Sequence, residues 1–462
     1  MSPNNIRVPR PSESDPVAAG VTPPPADDSR DEADPRTLPG AEEIELVHIE
    51  SREARTHRLS TSVLIGLMAV ILLWLVTMTS GRAKFSFADA LATHKLGTIT
   101  APGVPVVLAS GLACAIAAVG FFLGRTRKAV SVTSAVVAGA AIIVGFLTWA
   151  AAGADLPFQV ASQMQGTIAL ATPLILGALC GVMCERSGVV NVAIEGQMLT
   201  AAFGSALVGS LTHSITAAIL AAVIAGVAMA ALLAVFAIKY VVDQVVMGVV
   251  VNLFAAGLTG FLYNQLMGQD TEKYNSAPIM NQIAIPGVSK IPFLGPVLFD
   301  QTILVYVAVC CIPLVYLLLW HTRWGLRVRS VGEHPEAADT VGISVVGIRW
   351  SAVLAGGVLA GLGGAYFTIG TVGSFSKDIT VGNGFIALAA LIMGRWRPGL
   401  AAVMALFFAF LTQLSTELGP LGTPMPSQFL LLLPYLATIV AVAGLVGKVR
   451  APAADGTPFI KE

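Results

Sequence analysis

Few residues in this 462-residue chain could make or break a covalent bond. The six histidines, His48, His57, His94, His213, His321 and His334, are scattered, and no H-E-x-x-H pair stands ready for zinc. No G-x-S-x-G turn presents a nucleophilic serine. Gly444-Leu445-Val446-Gly447-Lys448 has the wrong spacing for a phosphate-cradling loop, and Val449 follows where such a loop carries Ser or Thr. The five cysteines, Cys114, Cys180, Cys184, Cys310 and Cys311, lie in or at the ends of apolar runs, where a thiol behaves as a small hydrophobe. Cys180 and Cys184 are one helical turn apart, but no histidine completes a metal set. These residues point to a chain that binds no cofactor itself and leaves any ATP chemistry to another protein.

Two polar motifs stand out from the apolar background. The first is Ser187-Gly-Val-Val-Asn191-Val-Ala-Ile-Glu195-Gly196-Gln197. Glu195 is the acidic residue set well inside an apolar run, and an ionised group there costs at least about 2–3 kcal/mol unless paired or hydrated. Read as helix from Val190, it sits roughly 7–8 Å in, short of the midplane. It either pairs with a basic loop residue or caps backbone amides, or it belongs to a polar pathway. Asn191, one turn earlier, can share its face. Amides and hydroxyls recur in or beside other runs: Gln163, Gln165, Thr172, Asp243, Gln244, Asn252, Asn264, Asn383, Gln413 and Thr416. Taken singly, each can simply bond across helices. Taken together they suit a polar, uncharged solute, because each amide both donates and accepts.

The second motif is Val331 to Ser344, VGEHPEAADTVGIS, a short polar helix candidate between two long apolar runs. Pro335 fits a first helical position, Glu333 or His334 can sit at the cap, and Gly342 can end the helix. A soluble partner docking on it is the simplest reason for such an element.

The elements that must position these motifs are membrane helices. Hydrophobic residues make up 55% of the chain and charged residues 12%, about half the usual soluble share. About 12 apolar segments recur, near 59–79, 104–123, 129–151, 160–183, 190–211, 214–238, 243–262, 301–320, 348–370, 384–394, 398–416 and 428–447. The expected fold is an all-α polytopic membrane protein with about 10–12 transmembrane helices, re-entrant half-helices where runs are short, and possible inverted repeats relating 168–208 to 352–394. Ala355 to Gly364, AGGVLAGLGG, reads as a close-packing face. Segments 1–57, 58–158, 159–449 and 450–462 read as an acidic, Pro-rich tail expected to be disordered, extra N-terminal helices, a core, and a C-terminal tail. The first of these holds 12 of the 27 acidic residues. Ala41 to Arg58 has enough apolar character for a juxtamembrane helix. Gly81 to Gly103 and Tyr263 to Asp300 read as long external segments, the latter with Ile291–Pro296 along the interface.

With the N-terminus inside, the inner loops carry 16 basic residues and the outer loops 6, which puts both termini and the loop 321–349 in the cytoplasm. A net charge of zero argues against nucleic acid as a partner.

Five ordered stretches, GVVNVAIEGQM (188–198), DQVVMGVVVNL (243–253), VGEHPEAADTVGI (331–343), LAGGVLAGLGGAY (354–366) and GNGFIALAALIMGRWRPG (382–399), carry a resemblance. Over roughly 160–447 the chain resembles the inner-membrane permeases of ABC importers for nucleosides and related simple sugars, akin to the ribose and branched-chain amino acid permeases. Residues 1–150 depart from that pattern. The resemblance implies a second permease subunit, often a paralogue, and a separate ABC ATPase that holds ATP and magnesium. It also implies a lipid-anchored or periplasmic solute-binding protein and residence in a bacterial plasma membrane. It places an ATPase-coupling helix on Glu333, His334, Pro335, Glu336, Ala337, Ala338 and Gly342, with His334 where the family usually has Asn. The substrate pathway is expected to pass Asn191, Glu195, Gln197, Asn252, Asn383 and Phe385. The alternative is an ion-coupled secondary transporter using Glu195 as its proton site. Reporters fused after Arg58 and after Arg450 are both expected to read as cytoplasmic, and an external reading at either would overturn the charge-based orientation.

Overall fold

The computed structural model describes residues 52–87, 97–124, 128–421, 432 and 450–461. The expected N-terminal tail up to Ser51 lies outside the described residues, as does the apolar run near 428–447 apart from Leu432. Residues 52–57 are not tail: helix α1, Arg52–Val76, already includes them. Arg, Glu and Ala are good helix formers, so the apolar helix propagates back through them.

The N-terminal set comprises α1, strands β1 (Arg82–Ser86) and β2 (Ile99–Pro102), α2 (Gly103–Leu123), α3 (Lys128–Ala151) and β3 (Phe158–Gln159). Continuous apolar sequence makes these helices, and Ile65, Leu72, Cys114 and Trp149 fill the seam between them. The strands form a small sheet in the order β2-β1-β3, β1 running antiparallel to β2 and parallel to β3. Leu414 and Leu418 join the same apolar cluster, so the set leans on the core described next.

The core opens with α4 (Val160–Glu185), α5 (Ile194–Thr212), α6 (Ile215–Ala234) and α7 (Gln244–Leu262). It continues through short α8 (Thr271–Tyr274), β4 (Gln282–Ala284), α9 (Leu294–Leu298) and β5 (Asp300–Thr302). Then come α10 (Ile303–His321), α11 (Arg323–Glu333), α12 (Pro335–Thr340), α13 (Val345–Phe367), α14 (Asn383–Met393) and α15 (Pro398–Leu418). Among the described residues nine helices are long and apolar enough to cross a membrane. Of their most apolar windows, α4 is 83% buried and α3 only 22%, which makes α4 the hub and α3 a peripheral, lipid-facing helix. At 11 residues α14 is too short to cross.

The segment 263–300 is more structured than a plain loop: β4 pairs antiparallel with β5, and Phe293 meets Phe87 edge-on at 5.7 Å. Asn275 and Phe375 exchange two hydrogen bonds, Asn275 Nδ2 to the Phe375 carbonyl at 2.8 Å and the Phe375 amide to Asn275 Oδ1 at 2.6 Å.

The small residues of Ala355–Gly364 do pack. A Cβ at Gly361 would lie 2.7 Å from the Ala222 carbonyl oxygen on α6, and one at Gly364 2.3 Å from that of Met198 on α5. Overpacking a site closed by backbone typically costs about 1–3 kcal/mol. Gly361→Leu is therefore expected to lower the thermal midpoint of the detergent-purified chain by several degrees. Gly257→Ala, with nothing within 4 Å, should leave it unchanged.

Candidate functional site

Two helices of the core are interrupted, and the interruptions meet. After α4 the chain turns at Arg186–Gly188, has no regular structure over 189–191, turns again at 192–193 and re-enters helix only at Ile194. After α13 a π-turn, Thr368–Val372, leads into an irregular stretch that ends where α14 begins at Asn383. The Glu195 carboxylate lies against the start of α14. Oε1 accepts from Thr380 Oγ1 at 2.5 Å and from the Gly382 amide at 2.9 Å, and Oε2 accepts from the Gly384 amide at 2.6 Å. A helix N-terminus exposes unpaired N–H groups and partial positive charge, and a carboxylate answers both. Gly384 must be glycine, since a Cβ would come within 2.5 Å of the Glu195 backbone. Gly382, at φ +79°, takes a left-handed conformation that favours glycine.

Arg186 Nε donates to the Trp396 carbonyl at 3.0 Å, so α4 and α14 end at one level. Eleven residues at about 1.5 Å each carry the start of α14 roughly 16 Å along the helix from its end. Glu195 thus stands beside the start of α14, away from that level. The stretch before Ile194 is not helix: residues 189–191 have no regular structure and 192–193 form a turn.

The other pathway candidates fall into two groups. Asn191 and Gln197 are fully buried and bonded to each other: Asn191 Nδ2 to Gln197 Oε1 and Gln197 Nε2 to Asn191 Oδ1, both at 3.3 Å. Asn191 Nδ2 also reaches the Cys180 and Cys184 sulfurs at 3.3 and 3.4 Å. Asn252, Asn383 and Phe385 are more open. Asn252 Oδ1 accepts from the Gly196 amide at 2.8 Å and Nδ2 donates to the Val192 carbonyl at 2.9 Å. Asn383 Nδ2 donates to the Thr380 carbonyl, and the Phe385 ring is 48% exposed.

Helix α7 supports the first break through one face. Gln244, Gly248 and Asn252 recur every fourth residue and so line up. Gln244 Oε1 takes the Val190 amide at 2.7 Å, and Gly248 leaves room for Val192, which a Cβ would meet at 2.8 Å. Asp243 caps the helix through the Val246 amide at 2.9 Å. That spacing is in the sequence and could have been read there.

At the level of Arg186 several cations gather: Arg186, Arg329, Arg395 and Arg397, with Arg186 and Arg329 over the Trp320 ring at 5.4 and 5.6 Å. Burial lowers the Arg186 pKa, opposed by Glu333 and abetted by Arg329 and Arg397. Here, at the basic end, the loop 321–349 folds as α11 and α12 with His334 between them. Pro335 is the first residue of α12 and the His334 side chain makes no cap bond. Gly342 turns at φ +83°. His334, Glu336 and Ala337 are exposed. Glu333 is instead the last residue of α11, with Oε1 4.0 Å from Arg186 Nη1 and Oε2 accepting from the Ala453 amide at 3.2 Å. Ala338 is buried against Val331, Val345 and Phe459. Trp396, whose indole N–H donates to Glu185 Oε2 at 2.5 Å, carried no signal in the sequence beyond the run GRWRPG.

Residues 163–446 match the family described as "Branched-chain amino acid transport system / permease component". The guanosine ABC transporter permease protein NupQ of Bacillus subtilis is 40% identical over 64% of this chain and 95% of its own length. The nucleoside ABC transporter permease protein NupC of Lactococcus lactis is 39% identical over 63% and 94%. A second guanosine ABC transporter permease protein of B. subtilis, NupP, is 25% identical over 63% and 85%. No solved structure matches the chain.

Glu195→Ala should free the start of α14 at a cost of about 1–3 kcal/mol for the buried amides left unpaired. Faster hydrogen exchange at Gly382 and Gly384 is the expected readout, and unchanged exchange would rule out the cap.

Proposed function

We propose, on the premise that this chain belongs to the branched-chain amino acid transport system / permease component family, that it is the membrane subunit of an ATP-driven importer of nucleosides or related simple sugars. The observation that carries the solute class is the 40% and 39% identity to guanosine and nucleoside permease proteins across nearly their whole length. The geometry supports it chemically. Two interrupted helices bring Glu195, Asn252 and Asn383 close to one another, and the remaining hydrogen-bonding capacity of their carboxylate and amides suits a ribose hydroxyl or a base edge. Phe385 presents an open ring face beside them on which a base or sugar can stack. Asn191 and Gln197 act behind this line, holding the break in shape.

In this reading the basic end faces the cytoplasm, as do both termini. A separate ABC ATPase, holding ATP and magnesium, docks on the exposed side of His334, Pro335, Glu336 and Ala337. A second permease subunit completes the pore. Two distinct guanosine permease proteins in one Bacillus, both similar to this chain, favour a paralogue in that role. A solute-binding lipoprotein delivers its cargo to the other side. Closure of the ATPase pair moves α12, and with it α10 and α13, so that the pore alternates between its two openings. The solute is carried only if the ATPase discriminates those states energetically.

The test is uptake of labelled guanosine and ribose by proteoliposomes holding the chain with its ATPase and second permease. Uptake should require ATP and should fall at least tenfold when Pro335–Ala338 is deleted, with membrane insertion intact. Uptake by this chain alone, collapsing with the ion gradient, would overturn the reading in favour of ion coupling.

A further inference from the structure

The C-terminal segment 450–461 offers no sequence signal, yet it packs into the basic end. Ala454 N donates to the Gly332 carbonyl at 2.9 Å and Ala453 N to Glu333 Oε2 at 3.2 Å. Arg349 Nη1 donates to the Thr457 carbonyl at 3.0 Å. Phe459 fills the small apolar cluster of Val331, Ala338 and Val345, and Lys461 pairs with Asp339 at 3.3 Å. One strand of chain therefore touches α11, α12 and the start of α13.

The same segment lies on the first break. Gly188, at φ +85°, has the Ala454 carbonyl and Arg349 Nη2 each 3.0 Å from where a Cβ would stand. On its other side Gly332 presses on the Arg186 carbonyl, 2.2 Å from its own would-be Cβ. The Gly188 turn is thus clasped between the end of α11 and the tail.

Arg349 explains why the tail belongs there. It is 2% exposed, and the tail supplies its one hydrogen-bond acceptor among the described residues and a carboxylate, Asp455, whose pKa burial pushes up to about 7 against the pull of Arg349 and Arg186. A buried guanidinium stripped of its partners is strongly destabilising.

We infer that residues 451–461 are a strap that locks the docking loop to the Gly188 turn, so that movement of α12 is delivered to the break that leads to Glu195. The strap rests on the proposed function but makes a claim that can fail separately: without it, ATP hydrolysis continues and transport stops. Other residues position the strap; none of them touches the solute.

The assembled complex is compared with two variants, one ending at Arg450 and one that also carries Arg349→Met, which removes the stranded charge. For the second variant the expected result is normal assembly, ATP hydrolysis within twofold of the parent, and guanosine uptake down at least tenfold. Uptake within threefold of the parent overturns the strap while leaving the proposed function standing. Loss of assembly in both variants also overturns it, since the tail would then be a folding element only. A readout independent of solute uses nitroxides at Glu336→Cys and Thr200→Cys, with the exposed Cys310 replaced by Ser. The interlabel distance distribution should broaden at least twofold without the tail. An unchanged distribution overturns the strap even if the parent moves no guanosine.

Discussion

The core depends on one carboxylate. Glu195 satisfies the opening amides of α14 within the bundle, where unpaired backbone donors would otherwise face an apolar surround. Irregular backbone survives there only where something bonds it. Glu195 does this for the second break, and Asn252 and Gln244 do it for the first. The interruptions are therefore built into the packing of α5, α7 and α14 as one unit.

Around that centre the fold divides its labour. The glycines of α13 let α4, α5 and α6 approach at backbone distance, which fixes the hub while leaving the outer helices apolar on their lipid side. At the basic end, by contrast, polar groups and charges dominate. Trp396 and Glu185 tie the end of α14 to the end of α4, and Arg186 ties both to Glu333. These bonds join the exposed loop at the basic end to the two interrupted helices.

The N-terminal helices stand apart from the region matched by the family, which begins at residue 163. They reach the core through Leu414 and Leu418 of α15. That contact is apolar.

Much of this was legible in the residues. Long apolar runs announce the spans, AGGVLAGLGG announces close packing, and His334-Pro335 with Gly342 brackets a short helix, because each of these reports on local backbone or on one helix face. Even the support of the first break by Gln244, Gly248 and Asn252 was present as a four-residue spacing. What could not be read were partners. Glu195 finds its donors 185 to 189 residues away, and Arg349 finds its acceptor 108 residues away. A polar side chain carries no mark of which distant segment will satisfy it. Only the tertiary packing decides that, and here it set Glu195 against the start of α14, brought Glu333 to Arg186, and folded an unremarked tail onto the basic end.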